Sequence, residues 1–78
     1  MPISEHLIAE EGKIFSRKLR EAREDAKLSQ DQVSAITGLT QPFISDVENG
    51  KTSVSIYNAS KLSQSVGKRL WELFYVEK

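Results

Sequence analysis

Residues 28–51 read LSQDQVSAITGLTQPFISDVENGK, and two short helices joined by a tight turn account for the signals in this stretch. Ser29 stands where a first helix needs an N-cap, and Gln32 lies three residues on, the spacing of a capping box. Val33 and Ile36, with Ala35 beside them, give that helix a small apolar face. Gly38 falls just past its end, where a left-handed residue costs least and lets the chain reverse. Thr40 or Gln41 then caps a second helix. Pro42 is tolerated only in its first turn, where the missing N–H is not needed, and it biases Gln41 away from helical dihedrals. Ile44 and Val47, at i and i+3, face inward. Gln41, Pro42, Phe43, Ser45, Asp46 and Asn49 are left to the outer and end surfaces, and Asn49-Gly50 is a strong stop signal.

These residues resemble the Cro/repressor (Xre-like) helix-turn-helix domains of lambdoid phage repressors and small bacterial regulators. The likeness runs from Phe15 to Phe74. Its markers are LREAR at 19–23, LSQDQV at 28–33, Gly38-Leu39-Thr40, ISDVENGK at 44–51, and Leu62, Val66-Gly67, Leu70 and Leu73-Phe74. Short pieces such as LSQ or ENGK arise by chance, whereas their order and spacing together are specific. The resemblance implies an all-α, compact five-helix, lambda-repressor-like domain that binds double-stranded DNA.

What it implies for the site follows position by position. Gln41 matches the leading recognition position, where a glutamine pairs with adenine N6 and N7. Pro42, Phe43 and Asp46 occupy the other base-facing positions, and each departs from the family's habit. Pro42 offers only apolar contact, as with a thymine methyl. Phe43 is large where many relatives are small, and either packs on the sugar-phosphate backbone or touches a methyl. Asp46 repels phosphates but can accept from cytosine N4; the competing reading gives it an N–H or Arg partner within the protein. Gln30 matches a glutamine that touches a phosphate and braces the next helix, Ser45 and Asn49 match positions that hydrogen-bond backbone phosphates, Lys51 adds a point charge there, and Thr40 either donates to a phosphate or caps the helix. Arg23 and Glu48 resemble the family's ion pair between the first helix and the recognition helix. Asp31 sits where some relatives present an acidic activating contact. Val54 replaces a frequent Pro, and Ser63 and Ser65 a frequent Ala.

Composition bounds these expectations. Seventy-eight residues make one domain with a small core, and a chain this short often relies on good helix packing or on association. A homodimer is expected. With no cysteine and a single His6, no disulfide, thiol nucleophile or metal centre is available. No Gly-rich phosphate loop is present, so neither a cofactor nor an enzymatic activity is expected. No apolar run approaches the length of a membrane span or signal sequence, which predicts a cytoplasmic protein.

Eleven basic and eleven acidic residues cancel, although phosphate neutralisation supplies most non-specific affinity for DNA. Arg17, Lys18, Arg20, Arg23 and Lys27 crowd one segment, with Glu21, Glu24 and Asp25 among them. The plain reading is a solvated helix carrying i,i+4 pairs. Balanced charge predicts weak non-specific binding and heavier reliance on base readout.

The remaining segments build the scaffold. Phe15, Leu19, Ala22 and Ala26 recur at helical spacing and mark a first helix of the domain. Thr52 to Ser55 offer a loop and cap, followed by Ile56, Ala59, Leu62, Ser63 and Val66 on one face of a fourth helix ended by Gly67. Residues 68–75 suggest a short, apolar fifth helix. Its Leu70, Trp71, Phe74 and Tyr75 are candidates for a dimer seam, and Trp71 and Phe74 alternatively close the core. Residues 1–14 lie outside the family pattern, as an N-terminal extension ahead of a domain at 15–78. Ser4 can cap a helix through Leu7, Ile8 and Ile14 that either continues into the first helix or breaks at Gly12.

The leading expectation is a homodimeric regulator with the helix from Gln41 to Glu48 in the major groove, each subunit reading half of an inverted repeat. The alternative is an antitoxin-type module whose main partner is a toxin or another regulator, favoured by the aromatic C-terminus and the N-terminal arm.

Overall fold

A computed structural model describes residues 9–74, and side chains from residue 12 onward. Four α-helices follow one another: α1 (Ala9–Asp25), α2 (Gln30–Thr37), α3 (Gln41–Glu48) and α4 (Ile56–Ser65), with a single 3-10 turn at Leu70–Leu73. No strand occurs among the described residues. The Ser4 cap, Leu7 and Ile8, and Tyr75 of the candidate seam, lie outside them.

Local chemistry sets the ends of the two central helices. Ser29 Oγ accepts from the Gln32 N–H at 3.0 Å while Gln32 Oε1 accepts from the Ser29 N–H at 2.7 Å, so the capping box is complete. Gly38, at φ 79°, ends α2 in the left-handed conformation, its N–H donating to Ser34 O. Of the two cap candidates for α3 it is Thr40 that serves, its Oγ accepting from the Phe43 N–H at 3.3 Å. Pro42 falls in the first turn, and Asn49 closes the helix with Gly50 at φ 69° behind it.

The core is one cluster drawn from every element: Phe15, Leu19 and Ala22 of α1, Val33 of α2, Ile44 and Val47 of α3, Val54 of the following loop, Ala59 and Leu62 of α4, Val66 at its C-terminal cap, and Leu73. Phe15 and Phe74 stack with ring centroids 5.5 Å apart. α1 packs on α3, α2 on both α3 and α4, and the 3-10 turn on α1 and α4. The buried side of α3 is thereby fixed from two directions, and its other side faces outward.

The structure corrects four expectations. Ile36 is 59% exposed, and its place on the inner face of α2 is taken by Thr37. The Thr37 hydroxyl donates to Val33 O at 2.8 Å and accepts from the Leu39 N–H, which removes the desolvation cost of burying it. Ala26 is exposed because α1 ends at Asp25 and Lys27 turns the chain at φ 59°. The i,i+4 ion pairs expected along α1 are not made: among the described residues, both ion pairs from α1 run to Glu48. In place of the fifth helix the described residues form a 3-10 turn, which Gly67 at φ 77° sets off from α4 and whose start is held by Glu72 Oε1 accepting from the Arg69 N–H at 2.9 Å. α1 itself runs unbroken through Gly12.

Candidate nucleic-acid interface

Glu48, at the last turn of α3, has a fully buried side chain, and the groups around it make that burial tolerable. Arg23 of α1 donates twice, from Nε to Glu48 Oε2 at 2.7 Å and from Nη2 to Oε1 at 3.0 Å. This forked, charge-assisted geometry is available to arginine and not to lysine. Gln30 Nε2 adds a third donor at 3.1 Å, and Arg20 Nε stands 3.7 Å from Oε1. The remaining Nη1 of Arg23 donates to Leu28 O at 2.9 Å, tying in the turn before α2. Hydrogen bonding to Glu48 raises the Arg23 pKa above its ordinary value, with burial opposing. A raised pKa stabilises the fold fully below arginine's ordinary range, so this contribution is constant at any pH near neutrality. Arg23 and Glu48 are thus a joint between three helices.

The joint extends to the protein surface. With its Nε2 committed to Glu48, Gln30 presents Oε1 to Gln41, whose Nε2 donates to it at 2.6 Å. Gln41 is half-buried at the start of α3, and its carbonyl oxygen and second N–H remain for an outside partner. Pro42 and Asp46 are exposed on the same helix. The Asp46 carboxylate makes no hydrogen bond or ion pair among the described residues, so the internal partner weighed for it is not formed there. Phe43 is half-buried and leans on the core cluster, leaving only part of its ring outside.

Of the phosphate candidates, Gln30 stands at the start of α2 against Gln41, and the other four lie along α3 or just beyond its ends. Thr40 spends an oxygen lone pair on its capping bond and keeps its O–H as a donor. Ser45 and Asn49 lie one turn apart, Asn49 Nδ2 approaching Ser45 Oγ at 3.4 Å. Lys51 is exposed just beyond, its backbone N–H bonded to Asp46 O. The sequence reading overlooked Arg20, whose Nη2 donates to Asn49 Oδ1 at 2.7 Å. One signal for it existed: Arg20 precedes Arg23 by three residues, so it shares the face of α1 that meets α3.

The model of the Helix-turn-helix family matches residues 19–70, a span that contains every contact just described. The chain belongs to the Xre-like helix-turn-helix family. It is 41% identical over 61 residues to the control protein C.MunI of a Mycoplasma species, an alignment covering 77% of this chain and 82% of that protein. It is 34% identical over 67 residues to the HTH-type transcriptional regulator PuuR of Escherichia coli K12, which covers 86% of this chain but only 36% of PuuR. Among solved structures, the restriction-modification controller protein C.AhdI of Aeromonas hydrophila superimposes with a TM-score of 0.75 at 32% identity, over 80% of this chain and 94% of that one. This helix-turn-helix protein is a DNA-binding transcriptional regulator, not an enzyme. Among its described residues, no helix is long and apolar enough to cross a membrane.

Proposed function

We propose that this regulator acts in the cytoplasm as a homodimer on an inverted-repeat operator, each subunit laying α3 in the major groove. Half-sites are then about 34 Å apart, one helical turn. The observation that carries the reading is the hydrogen bond from Gln41 to Gln30 at the outer start of α3. It holds the Gln41 amide at a fixed angle, with one oxygen and one N–H still unspent, the pair of groups that matches adenine N6 and N7. Asp46 and Pro42 supply further base contacts, with a cytosine amino group and a thymine methyl as their natural partners. Thr40, Ser45, Asn49 and Lys51 set the register on the backbone. In this arrangement Gln30 acts by bracing Gln41.

Similarity over most of the length of C.MunI and C.AhdI supports a more specific role, the control of restriction-modification genes. Selection from a random duplex DNA pool at about physiological salt, with Gln41→Ala in parallel, tests the reading. A two-fold symmetric site whose sequence preference changes in the variant supports it. An unchanged preference removes Gln41 from base reading, and no enrichment overturns the proposal as a whole.

A further inference from the structure

A groove runs between α1 and the C-terminal end of α3, lined by Lys13, Arg17, Arg20, Glu21 and Glu24, with Glu48 and Asn49 at its floor and edge. Glu48 already holds two hydrogen bonds from Arg23 and one from Gln30, so its charge and lone pairs are satisfied before Arg20 is considered. The 3.7 Å from Arg20 Nε to Glu48 is too long for a hydrogen bond. The Arg20 side chain is 45% exposed, against 13% for Arg23. With Glu48 assigned to Arg23, the groove carries three cations against two carboxylates.

The contact that Arg20 does make is directional. By donating to Asn49 Oδ1 at 2.7 Å it occupies the carbonyl side of that amide, which turns Nδ2 toward Ser45 Oγ, 3.4 Å away. One Nδ2 hydrogen is then left outward, and most of the five guanidinium hydrogens are unspent. A partner taking both groups must be anionic and rich in acceptors, and must lie beside the end of α3. The DNA backbone meets these terms once α3 is in the major groove.

We propose that Arg20 and Asn49 form a composite clamp on one DNA phosphate at the trailing end of α3, Arg20 supplying the charge and fixing the direction in which Asn49 donates. The inference rests on the major-groove reading above. It adds Arg20 to the DNA contacts and gives α1 a part in binding as well as in folding.

The test measures affinity for the enriched duplex across a salt series for wild type, Arg20→Gln, Arg20→Lys, Asn49→Ala and the doubles, with melting temperatures alongside. Arg20→Gln is expected to weaken all sequences alike and to flatten the slope of log affinity against log salt by about 0.9 for each subunit bound. An unchanged slope with a lowered melting point makes Arg20 a second counter-ion for Glu48 and overturns the clamp. Arg20→Lys keeps the charge beside Glu48 and so guards the fold. It is expected to hold the slope while misdirecting Asn49, so that Asn49→Ala costs less when combined with Arg20→Lys than in wild type. Equal cost in both backgrounds overturns the positioning role. If wild type selects no sequence, the major-groove reading fails and takes the clamp with it; normal selectivity with an unmoved slope defeats the clamp alone.

Discussion

Gln30 and Gln41, eleven residues apart and on successive helices, are joined side chain to side chain by a 2.6 Å hydrogen bond, and Gln30 is held in turn by the buried Glu48. A half-buried side chain at the start of α3 is therefore wired to a fully buried carboxylate. Gln41→Ala is expected to relax specificity at one base pair at a cost of about 1–3 kcal/mol. Gln30→Ala is expected to reduce discrimination at that same base pair by less, because Gln41 persists but loses its brace. Competition binding with single-base operator variants measures both. Additive effects in the double variant count against the coupling.

Breaking the joint at one side leaves an unpaired charge indoors. Arg23→Ala strands the Glu48 carboxylate and is expected to cost about 3–5 kcal/mol of folding stability by denaturant unfolding. Replacing Arg23 and Glu48 together with apolar residues of similar volume is expected to cost far less. A double variant as unstable as the single one contradicts that account.

The parts of this fold legible in the sequence are those governed by neighbours along the chain. The Ser29–Gln32 box, the Gly38 turn, the Pro42 first turn and the Asn49-Gly50 stop each depend on contacts within five residues, and residues 28–51 fold as their spacing suggests. Ile36 and Thr37 show where that logic ends. Hydropathy favours burying Ile36, and the bonds that satisfy the Thr37 hydroxyl are themselves local, but which face of α2 turns inward is set by its packing on α3 and α4, and that face carries Thr37. The link between Arg20 and Asn49 spans 29 residues, and only the packing of α1 against α3 brings it about.

Lys27 ends α1 at φ 59°, where a side chain is strained and glycine is not. Its N–H donates to Glu24 O and that of Leu28 to Arg23 O, so the turn is held in that conformation. Lys27→Gly is expected to stabilise the protein by about 1 kcal/mol, after the added freedom of the unfolded chain is subtracted from the relieved strain. A shift in melting temperature is the readout, and a fall shows that the αL conformation costs less here than the added chain entropy.

Lys51 is exposed beyond the end of α3 and gives no directional contact to another described side chain. Lys51→Ala is expected to weaken specific and non-specific duplexes alike and to flatten the salt dependence by about one unit of slope for each subunit bound. A loss confined to one operator sequence places Lys51 on a base and not on a phosphate.

Phe74 and Trp71, three residues apart, divide between them the two roles open to the C-terminal aromatics. Phe74 stacks on the fully buried Phe15 and leans on the core. Phe74→Ala is therefore expected to lose about 3 kcal/mol, the low end for removing a phenyl ring because Phe74 is only partly buried. Trp71 is 64% exposed, and Trp71→Ala is expected to leave the stability of a dilute, monomeric sample nearly unchanged. If Trp71 lies in a dimer seam, the variant dissociates at higher concentration in sedimentation equilibrium and its operator binding becomes steeper in protein concentration. If self-association and operator binding both survive the substitution, the dimer uses another surface.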